Sequence, residues 1–216
     1  MSDGLIDISP ILSARIAVWP GDTPFARRVN VAIANGANID LSEITTTVHV
    51  GAHTDAPNHY SADGEDIASR DLNRYYGPCL VVRVAIAQGA RIKVRDLPGD
   101  VLARELLPAR VLFATGSFPD PDHFNEDFCS LSPELVQWLH SRGVTLVGID
   151  TPSVDPCNDT ALLSHSAIAS RDMAILEGVV LAHVAAGPYT LIALPLRIQG
   201  GDASPVRAAL LSGDPK

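Results

Sequence analysis

Short runs of β-branched residues, interrupted by glycine and proline, restrict the fold of this 216-residue chain more than any other feature. The chain holds 16 glycines and 16 prolines, and they divide it into many short elements. Apolar, β-branched runs bounded by such residues are typical of strands. We predict strands over Leu5–Ile8, Arg27–Ala34, Leu41–Val50, Leu80–Ile86, Val111–Thr115, Leu146–Ile149, Val179–Leu181 and Thr190–Leu194.

Helical signals are fewer. In the segment 132–143, a capping Ser132, Pro133 in the first turn and a closing Gly143 predict a helix. A second candidate runs from Ser164 to about Met173, and a weaker one over 96–107 is interrupted by Pro98 and Gly99. Many strands with a few crossover helices indicate a mixed α/β fold, with a central sheet or partial barrel flanked by helices.

The sequence contains no repeat, low-complexity tract or Gly/Ser linker, so we expect one domain over residues 1–216. The net charge of -9 argues against nucleic-acid binding, because phosphate contacts need clustered cations and the 16 Lys and Arg residues are scattered. Anionic membrane surfaces are disfavoured for the same reason, and no apolar run reaches the roughly 18 residues of a membrane span. The N-terminus lacks the features of a signal peptide.

The three cysteines, Cys79, Cys129 and Cys157, are odd in number and form no CxxC pair. This usage is typical of reduced thiols, and we expect a cytoplasmic protein. A cysteine nucleophile stays open as an alternative, although nothing beside these residues favours one.

The segment 47–59 carries the strongest chemical signal, because three of the seven histidines lie there within eleven residues. If the chain stays extended past Gly51, then His49, His53 and Asp55 project to the same side. Two imidazoles and a carboxylate are ligands that zinc or manganese prefers. The competing interpretation is structural, since a lone histidine in a strand is more often a packing or surface residue.

Hydrolysis at such a metal also needs a group that moves protons. His59 lies beyond the rigid Pro57 and is the best local candidate for this acid/base role.

The stretch His49-Val-Gly-Ala-His-Thr-Asp-Ala-Pro-Asn-His59 resembles the HxGTHxDAPxH motif of the cyclase-like metal-dependent hydrolases. This family includes the bacterial kynurenine formamidases, also called arylformamidases. Further segments resemble the family's signatures in the same order, and they span 18–24, 148–155, 173–178, 192–196 and 202–207.

The resemblance implies a swivelling β/β/α-type fold, a homodimer and a site with two divalent metal ions, most often zinc, with manganese as an alternative. The ligands it implies are His49, His53, Asp55, His165 and Glu177, with both acids bridging the metals. It also implies that His59 is the catalytic acid/base and that Trp19 contacts the substrate. The implied reaction is hydrolysis of N-formyl-L-kynurenine to L-kynurenine and formate, a step of tryptophan degradation.

Some features leave alternatives open. His165 and Glu177 are twelve positions apart, about 120° on a straight helix, so they converge only if the helix ends between them. Asp150 follows a strand, where α/β proteins place active sites, but capping the turn at Thr151–Pro152 is its simpler role. Trp19 could also be an ordinary packing aromatic. Three arginines could bind a substrate carboxylate, and the sequence singles out none of Arg83, Arg171 and Arg197.

Two departures from the family pattern concern Ala52, which stands where the motif has Thr, and the loop 157–164, which lacks the family's Ser-Lys pair. The apolar segment Ile8–Leu12 is consistent with an arm that reaches the partner subunit.

Two other functions stay in view. One is a related hydrolase that opens a cyclic aryl amide such as isatin, and the other is a metal-binding module without catalysis.

Overall fold

The computed structural model describes residues 4–212 as thirteen strands, three α-helices and several 3-10 turns. The helices are α1 (Gly99–Leu102), α2 (Pro133–Ser141) and α3 (Leu163–Ala169). The strands are β1 (Leu5–Asp7), β2 (Ala26–Val31), β3 (Leu41–Thr45), β4 (His53–Asp55), β5 (Tyr76–Arg83), β6 (Arg91–Ile92), β7 (Arg110–Ala114), β8 (Ser130–Leu131), β9 (Leu146–Ile149), β10 (Ala174–Leu176), β11 (Gly187–Ile192), β12 (Ala203–Pro205) and β13 (Ala209–Ser212).

A seven-stranded mixed sheet organises the molecule, in the order β1-β13-β11-β5-β7-β9-β10. The half from β5 to β10 is parallel, and the half from β1 to β5 is antiparallel. Two-stranded ribbons made of β4 with β12, β2 with β3 and β6 with β8 surround it. The predicted mixed α/β fold with a central sheet is confirmed.

Both faces of the sheet are covered, and the strand period of two divides the apolar residues between two cores. In β7, Val111 and Phe113 enter the core beneath the helices, whereas Leu112 and Ala114 face the opposite core. Most of the helical residues in the first core belong to α2 and α3. The segment around β4 closes the second core through Ala52 and Ala56. The site-bearing ribbon therefore lies on the sheet face opposite the helices.

Helix α2 forms as the sequence predicts. The Ser132 hydroxyl accepts a hydrogen bond from Leu135 N at 3.2 Å, Pro133 occupies the first turn, and Gly143 follows with a φ of +89°. The cap, the proline and the left-handed glycine are the three signals on which the prediction rested.

Several predicted elements end at other residues in the structure, and three of them differ most. The strand predicted over Leu41–Val50 ends at Thr45, because the chain turns sharply before Gly51, whose φ is +59°. No strand forms over Val179–Leu181, where Val179 and Leu181 are buried without ladder pairing. In the segment 96–107 only α1 is helical, because the main chain at Pro98 is extended.

The β2–β3 hairpin stands apart from the main sheet, and every residue of its two strands except Val31 is exposed. The N-terminal segment, for which an arm toward a partner subunit stays a prediction, is partly packed on the fold. Ile8 is fully buried, and its main chain bonds to Ala208 and Val180, whereas Ile11 is 84% exposed. Among residues 4–212, no helix combines the length and apolar character needed to cross a membrane.

Candidate active site

The sequence-predicted site residues come together from three distant parts of the chain. His49 lies in the turn before β4, His53 and Asp55 lie in β4, and His59 ends a 3-10 turn after it. His165 lies in α3, and Glu177 follows β10. The helix ends at Ala169, between these last two residues, as their convergence requires.

A short backbone bridge joins β4 to the segment that follows β10. His53 N donates to Glu177 O at 3.1 Å, and Glu177 N donates to His53 O at 2.9 Å. The close approach of these two segments depends on Gly178, because a Cβ at this position would lie 2.1 Å from Gly51 O. Gly178 also has a left-handed φ of +66°, which only glycine adopts without strain. Small residues at this crossing therefore let the two segments that carry His53 and Glu177 meet.

Three imidazoles turn one ring nitrogen toward the two buried carboxylates. His49 Nδ1 lies 3.1 Å from Asp55 Oδ1, and His165 Nε2 lies 3.5 Å from Asp55 Oδ2. His53 Nε2 lies 3.2 Å from Glu177 Oε2 and 3.5 Å from Asp55 Oδ1. His165 Nε2 is also 3.8 Å from Glu177 Oε1. The predicted ligand set is thus assembled around Asp55 and Glu177. We call it the His/Asp/Glu cluster, and its members are His49, His53, Asp55, His165 and Glu177.

The other ring nitrogen of each imidazole is held from outside the cluster. His49 Nε2 lies 3.0 Å from Asp202 Oδ2, His53 Nδ1 lies 2.9 Å from Gly51 O, and His165 Nδ1 lies 2.8 Å from Asp155 Oδ2. Such contacts fix the tautomer and orientation of a ligating histidine and leave the inner nitrogen as an electron-pair donor.

The convergence does not arise in the way the strand pattern suggests. His49 was expected to share a strand face with His53 and Asp55, but residues 46–52 form bends and no continuous strand. The turn at Gly51 folds His49 back over β4. His49, His53 and Asp55 lie together as predicted. The predicted extended chain between His49 and His53 is wrong.

Burial and charge act in opposite directions on the ionisable groups. Burial lowers the pKa of His49, but Asp55 and Asp202 outweigh it and raise that pKa to about 9. For His165, burial again lowers the pKa, and the carboxylates of Asp155 and Asp55 raise it to about 10. Burial raises the pKa of Asp55, yet the adjacent His165 and His49 hold it well below its ordinary value. The cluster therefore strongly favours positive charge.

This donor set fits a divalent metal centre. Asp55 is almost fully buried, and neither of its carboxylate oxygens has a well-oriented hydrogen-bond donor among the described residues. The surrounding ring nitrogens lie close to these oxygens without donating along the directions a hydrogen bond needs. Buried carboxylates without donors are costly unless they coordinate a cation. Asp55 belongs to both compact ligand groups, one completed by His53 and Glu177 and the other by His49 and His59.

His59 lies at the edge of the cluster and faces a cavity. Its ring centroid is 4.2 Å from that of His49, and it is one of the residues that line the cavity. Because its ligand atom lies within 4.8 Å of those of His49 and Asp55, geometry alone allows His59 to be either a proton-transfer residue or a ligand.

A cavity of about 530 Å³ opens above the cluster and has an aromatic wall. Trp19 lines it and packs edge to face against Phe124, with ring centroids 5.5 Å apart. Phe118 also lines the cavity and makes a similar contact with Phe124. Trp19 therefore packs in an aromatic cluster and also lines the cavity, and its contact with a substrate stays a prediction.

Three acidic residues that sequence reasoning did not assign to the site contribute to it. Asp155 orients His165 and also accepts the main-chain N–H groups at the start of α3. Asp202 contacts His49, and the sequence pattern over 202–207 does not reveal that contact. Asp150 lines the cavity, but it accepts hydrogen bonds from Thr115 and Gly116, so it does not cap the turn at 151–152 as expected. Burial raises the pKa of Asp150 despite these donors.

The candidate arginines lie elsewhere. Arg83 donates to main-chain carbonyls at 181–184, and Arg171 donates to Ala167 O. Neither these two nor Arg197 is among the described residues that line the cavity.

Comparison with known proteins agrees with this site. The family model named Cyclase matches residues 6–156. The chain belongs to the cyclase family, and it is an enzyme of the hydrolase class. It is 43% identical to the kynurenine formamidase of Bordetella petrii over 206 residues, which cover 95% of this chain and 97% of that protein.

Solved structures share the fold. One, described as a potential metal-dependent hydrolase with cyclase activity, is 25% identical with a TM-score of 0.82, and the match covers 98% of this chain and 99% of the other. Isatin hydrolase A from Ralstonia solanacearum is 21% identical with a TM-score of 0.80, covering 97% and 92%. At this lower identity the likeness concerns the fold alone.

Proposed function

We propose that the enzyme hydrolyses N-formyl-L-kynurenine to L-kynurenine and formate. The observation that carries the proposal is that one cavity is lined by His49, His53, His165 and Glu177 of the cluster, by His59 and by Trp19. A formanilide has a small formyl group for the cluster and an aryl ring for the aromatic wall. The 43% identity to a kynurenine formamidase supports the same substrate.

In the proposed mechanism His49, His53, Asp55, His165 and Glu177 would hold two divalent ions. When bound, the ions supply Lewis-acid chemistry, because they polarise a carbonyl and lower the pKa of water. Nitrogen and carboxylate donors suit zinc best, with manganese as the alternative.

His59 carries the proton transfer in this mechanism. The C–N bond of the formamide breaks and the water oxygen enters formate. His59 accepts one proton from the attacking water and passes it to the departing aniline nitrogen, and the second water proton leaves the formic acid product for the solvent. Its position beside the cluster and on the cavity surface is what this role requires.

A variant at His59 distinguishes proton transfer from metal binding. We expect His59→Ala to keep its zinc and its fold and to lose about 100-fold or more in kcat, the usual contribution of a positioned acid/base. Loss of zinc together with activity would make His59 a ligand. Full activity would refute its catalytic role and favour a different proton donor.

The nearest rival is an isatin hydrolase, whose cyclic amide would present a ring carbonyl to the same cluster. We expect the zinc-loaded enzyme to prefer N-formyl-L-kynurenine over isatin by at least about a hundredfold in kcat/KM, a difference that pocket shape can supply. Equal turnover, or faster opening of isatin, would assign the chain to that activity. Absence of turnover with both would refute the proposed substrate and favour a different substrate for this hydrolase.

The proposed homodimer finds support in the exposed hairpin. An isolated two-stranded hairpin is marginal in water, and this one carries apolar side chains that are about half exposed or more. They are Val29, Ile33, Ile39, Leu41 and Ile44. A second copy of the chain would cover them. Light scattering of the parent and of Ile44→Glu tests this, because the variant should be monomeric if the hairpin forms the interface.

We further propose that the enzyme works in the cytoplasm as one domain. Cys79, Cys129 and Cys157 are all unpaired, which suits a reducing compartment.

A further inference from the structure

We propose that Asp202 is a positioning residue, and that one of its two carboxylate oxygens, Oδ2, orients both His49 and His59. Asp202 Oδ2 lies 3.0 Å from His49 Nε2 and 3.5 Å from His59 Nδ1. This inference rests on the proposed function, because it assigns His49 to metal binding and His59 to proton transfer.

The fold places Asp202 through strand register. Strand β12 pairs antiparallel with β4, with Ala203 opposite Asp55, and Ala56 N donates to Asp202 O at 2.8 Å. These contacts use the main chain of Asp202, so its side chain is not needed to hold the strand. The side chain is about half exposed at the cavity, and it is available for contacts with the histidines.

Asp202 is not a further ligand for an ion at the cluster. The ring of His49 stands between the two acids, with Nδ1 toward Asp55 and Nε2 toward Asp202. An Nε2–H that donates to Asp202 leaves the electron pair of Nδ1 for the cluster side. Asp202 therefore acts on the centre through His49.

The same oxygen selects the working nitrogen of His59. A proton on Nδ1 that faces Asp202 leaves Nε2, across the ring, to exchange protons with a substrate in the cavity. The two rings lie 4.2 Å apart between centroids, so one carboxylate reaches both. Asp202 thus links the orientation of a ligand to that of the acid/base.

Asp66 offers a matched control, because it fixes the same turn without touching either histidine. Asp66 Oδ2 accepts a hydrogen bond from Gly200 N at 2.6 Å, and Ile67 N donates to Gly201 O at 2.9 Å. Loss of Asp66 should loosen the turn before β12. If Asp202 had only a structural role, Asp202→Ala and Asp66→Ala would have equal effects on zinc affinity and kcat.

The test compares Asp202→Ala, Asp202→Asn and Asp66→Ala in the full-length protein. Zinc affinity is measured by competition with a chromophoric chelator, and kcat is measured at saturating zinc. We expect Asp202→Ala to weaken zinc binding about 10- to 100-fold, as loss of a contact behind a ligand does, and to lower kcat at least about tenfold even with zinc saturated. Asp202→Asn keeps one acceptor oxygen and should recover part of both losses. Asp66→Ala should change neither quantity by more than about threefold, a bound set by the small effects of substitutions away from the site.

Three results would overturn the proposal. The first is equal behaviour of Asp202→Ala and Asp66→Ala, which would make the role structural. The second is weaker zinc binding by Asp202→Ala with unchanged kcat at saturating zinc, which would show that Asp202 does not orient His59. The third is unchanged zinc affinity. The histidine tautomers of the zinc-loaded protein, measured by long-range proton–nitrogen NMR, should show the proton of His59 on Nδ1 in the parent and a mixture in Asp202→Ala. Zinc affinity and tautomer do not depend on the substrate, so they remain informative if the parent fails to hydrolyse N-formyl-L-kynurenine.

Discussion

The crossing of Gly178 over Gly51 gives a prediction whose magnitude follows from the structure. Gly178→Ala places a Cβ 2.1 Å from Gly51 O, and an oxygen of the main chain cannot rotate away. The two segments would have to separate by about 1 Å, since real Cβ contacts shorter than 3.0 Å essentially do not occur. That movement breaks the pair of backbone hydrogen bonds between His53 and Glu177.

The cost has two parts. A left-handed φ costs a residue with a Cβ about 1–2 kcal/mol. Two lost hydrogen bonds add about 0.5–1.5 kcal/mol each, so Gly178→Ala should lower the free energy of unfolding by roughly 2–5 kcal/mol. Gly36→Ala isolates the first part, because Gly36 has a φ of +87° and a Cβ added there would meet no atom within 4 Å. That control should lose only about 1–2 kcal/mol.

Denaturant unfolding of both variants in metal-free buffer measures these losses, and zinc titration measures the site. We expect Gly178→Ala also to bind zinc more weakly than Gly36→Ala, because His53 and Glu177 move apart. Equal losses of stability in the two variants would refute the reasoning, since the backbone approach would then carry no cost. Unchanged zinc affinity in Gly178→Ala would show that the bridge does not position the ligands.

Three further predictions concern single side chains. His53→Ala should lower zinc content as well as activity, because no neighbouring residue replaces a lost ligand, and full occupancy by elemental analysis would contradict this assignment. Trp19→Ala should chiefly raise KM for N-formyl-L-kynurenine, since it removes stacking worth about 0.5–1.5 kcal/mol beyond the lost area, and an unchanged KM with reduced kcat would place the ring elsewhere. Asp150→Asn should lower the free energy of unfolding by about 1–3 kcal/mol, because its amide would turn a donor toward the N–H groups of Thr115 and Gly116. Thermal or denaturant unfolding checks this, and stability equal to the parent would mean that the carboxylate acceptors are dispensable.

The convergence of the candidate site residues was predictable because most of them lie in one local motif. Three histidines and Asp55 within eleven residues carry a chemical signal that survives an error in backbone geometry. The error itself has a clear source, because the bend at Gly51 depends on the left-handed freedom of glycine, and the alternation pattern of a strand contains no record of it.

The supporting acids were not predictable from local pattern. Asp155 and Asp202 act through pairings that join distant parts of the chain, and 153 positions separate Asp202 from His49. Their roles follow from the β12–β4 register and from the start of α3, which only the tertiary structure defines. The short strands β6, β8 and β12 escaped prediction for a related reason, since two or three residues are too few to show a period.

The β12–β4 ribbon has a consequence for how the enzyme matures. Because β12 comes late in the chain, a ribosome must complete nearly the whole polypeptide before this ribbon can form. Closing such a long loop is slow compared with forming local turns. Zinc that binds only the assembled form would then pull the equilibrium toward the closed ribbon, by an amount that grows with the logarithm of its free concentration. If zinc is the bound metal, as proposed, its cellular supply would thus govern how stably β12 pairs with β4 as well as how many molecules are active.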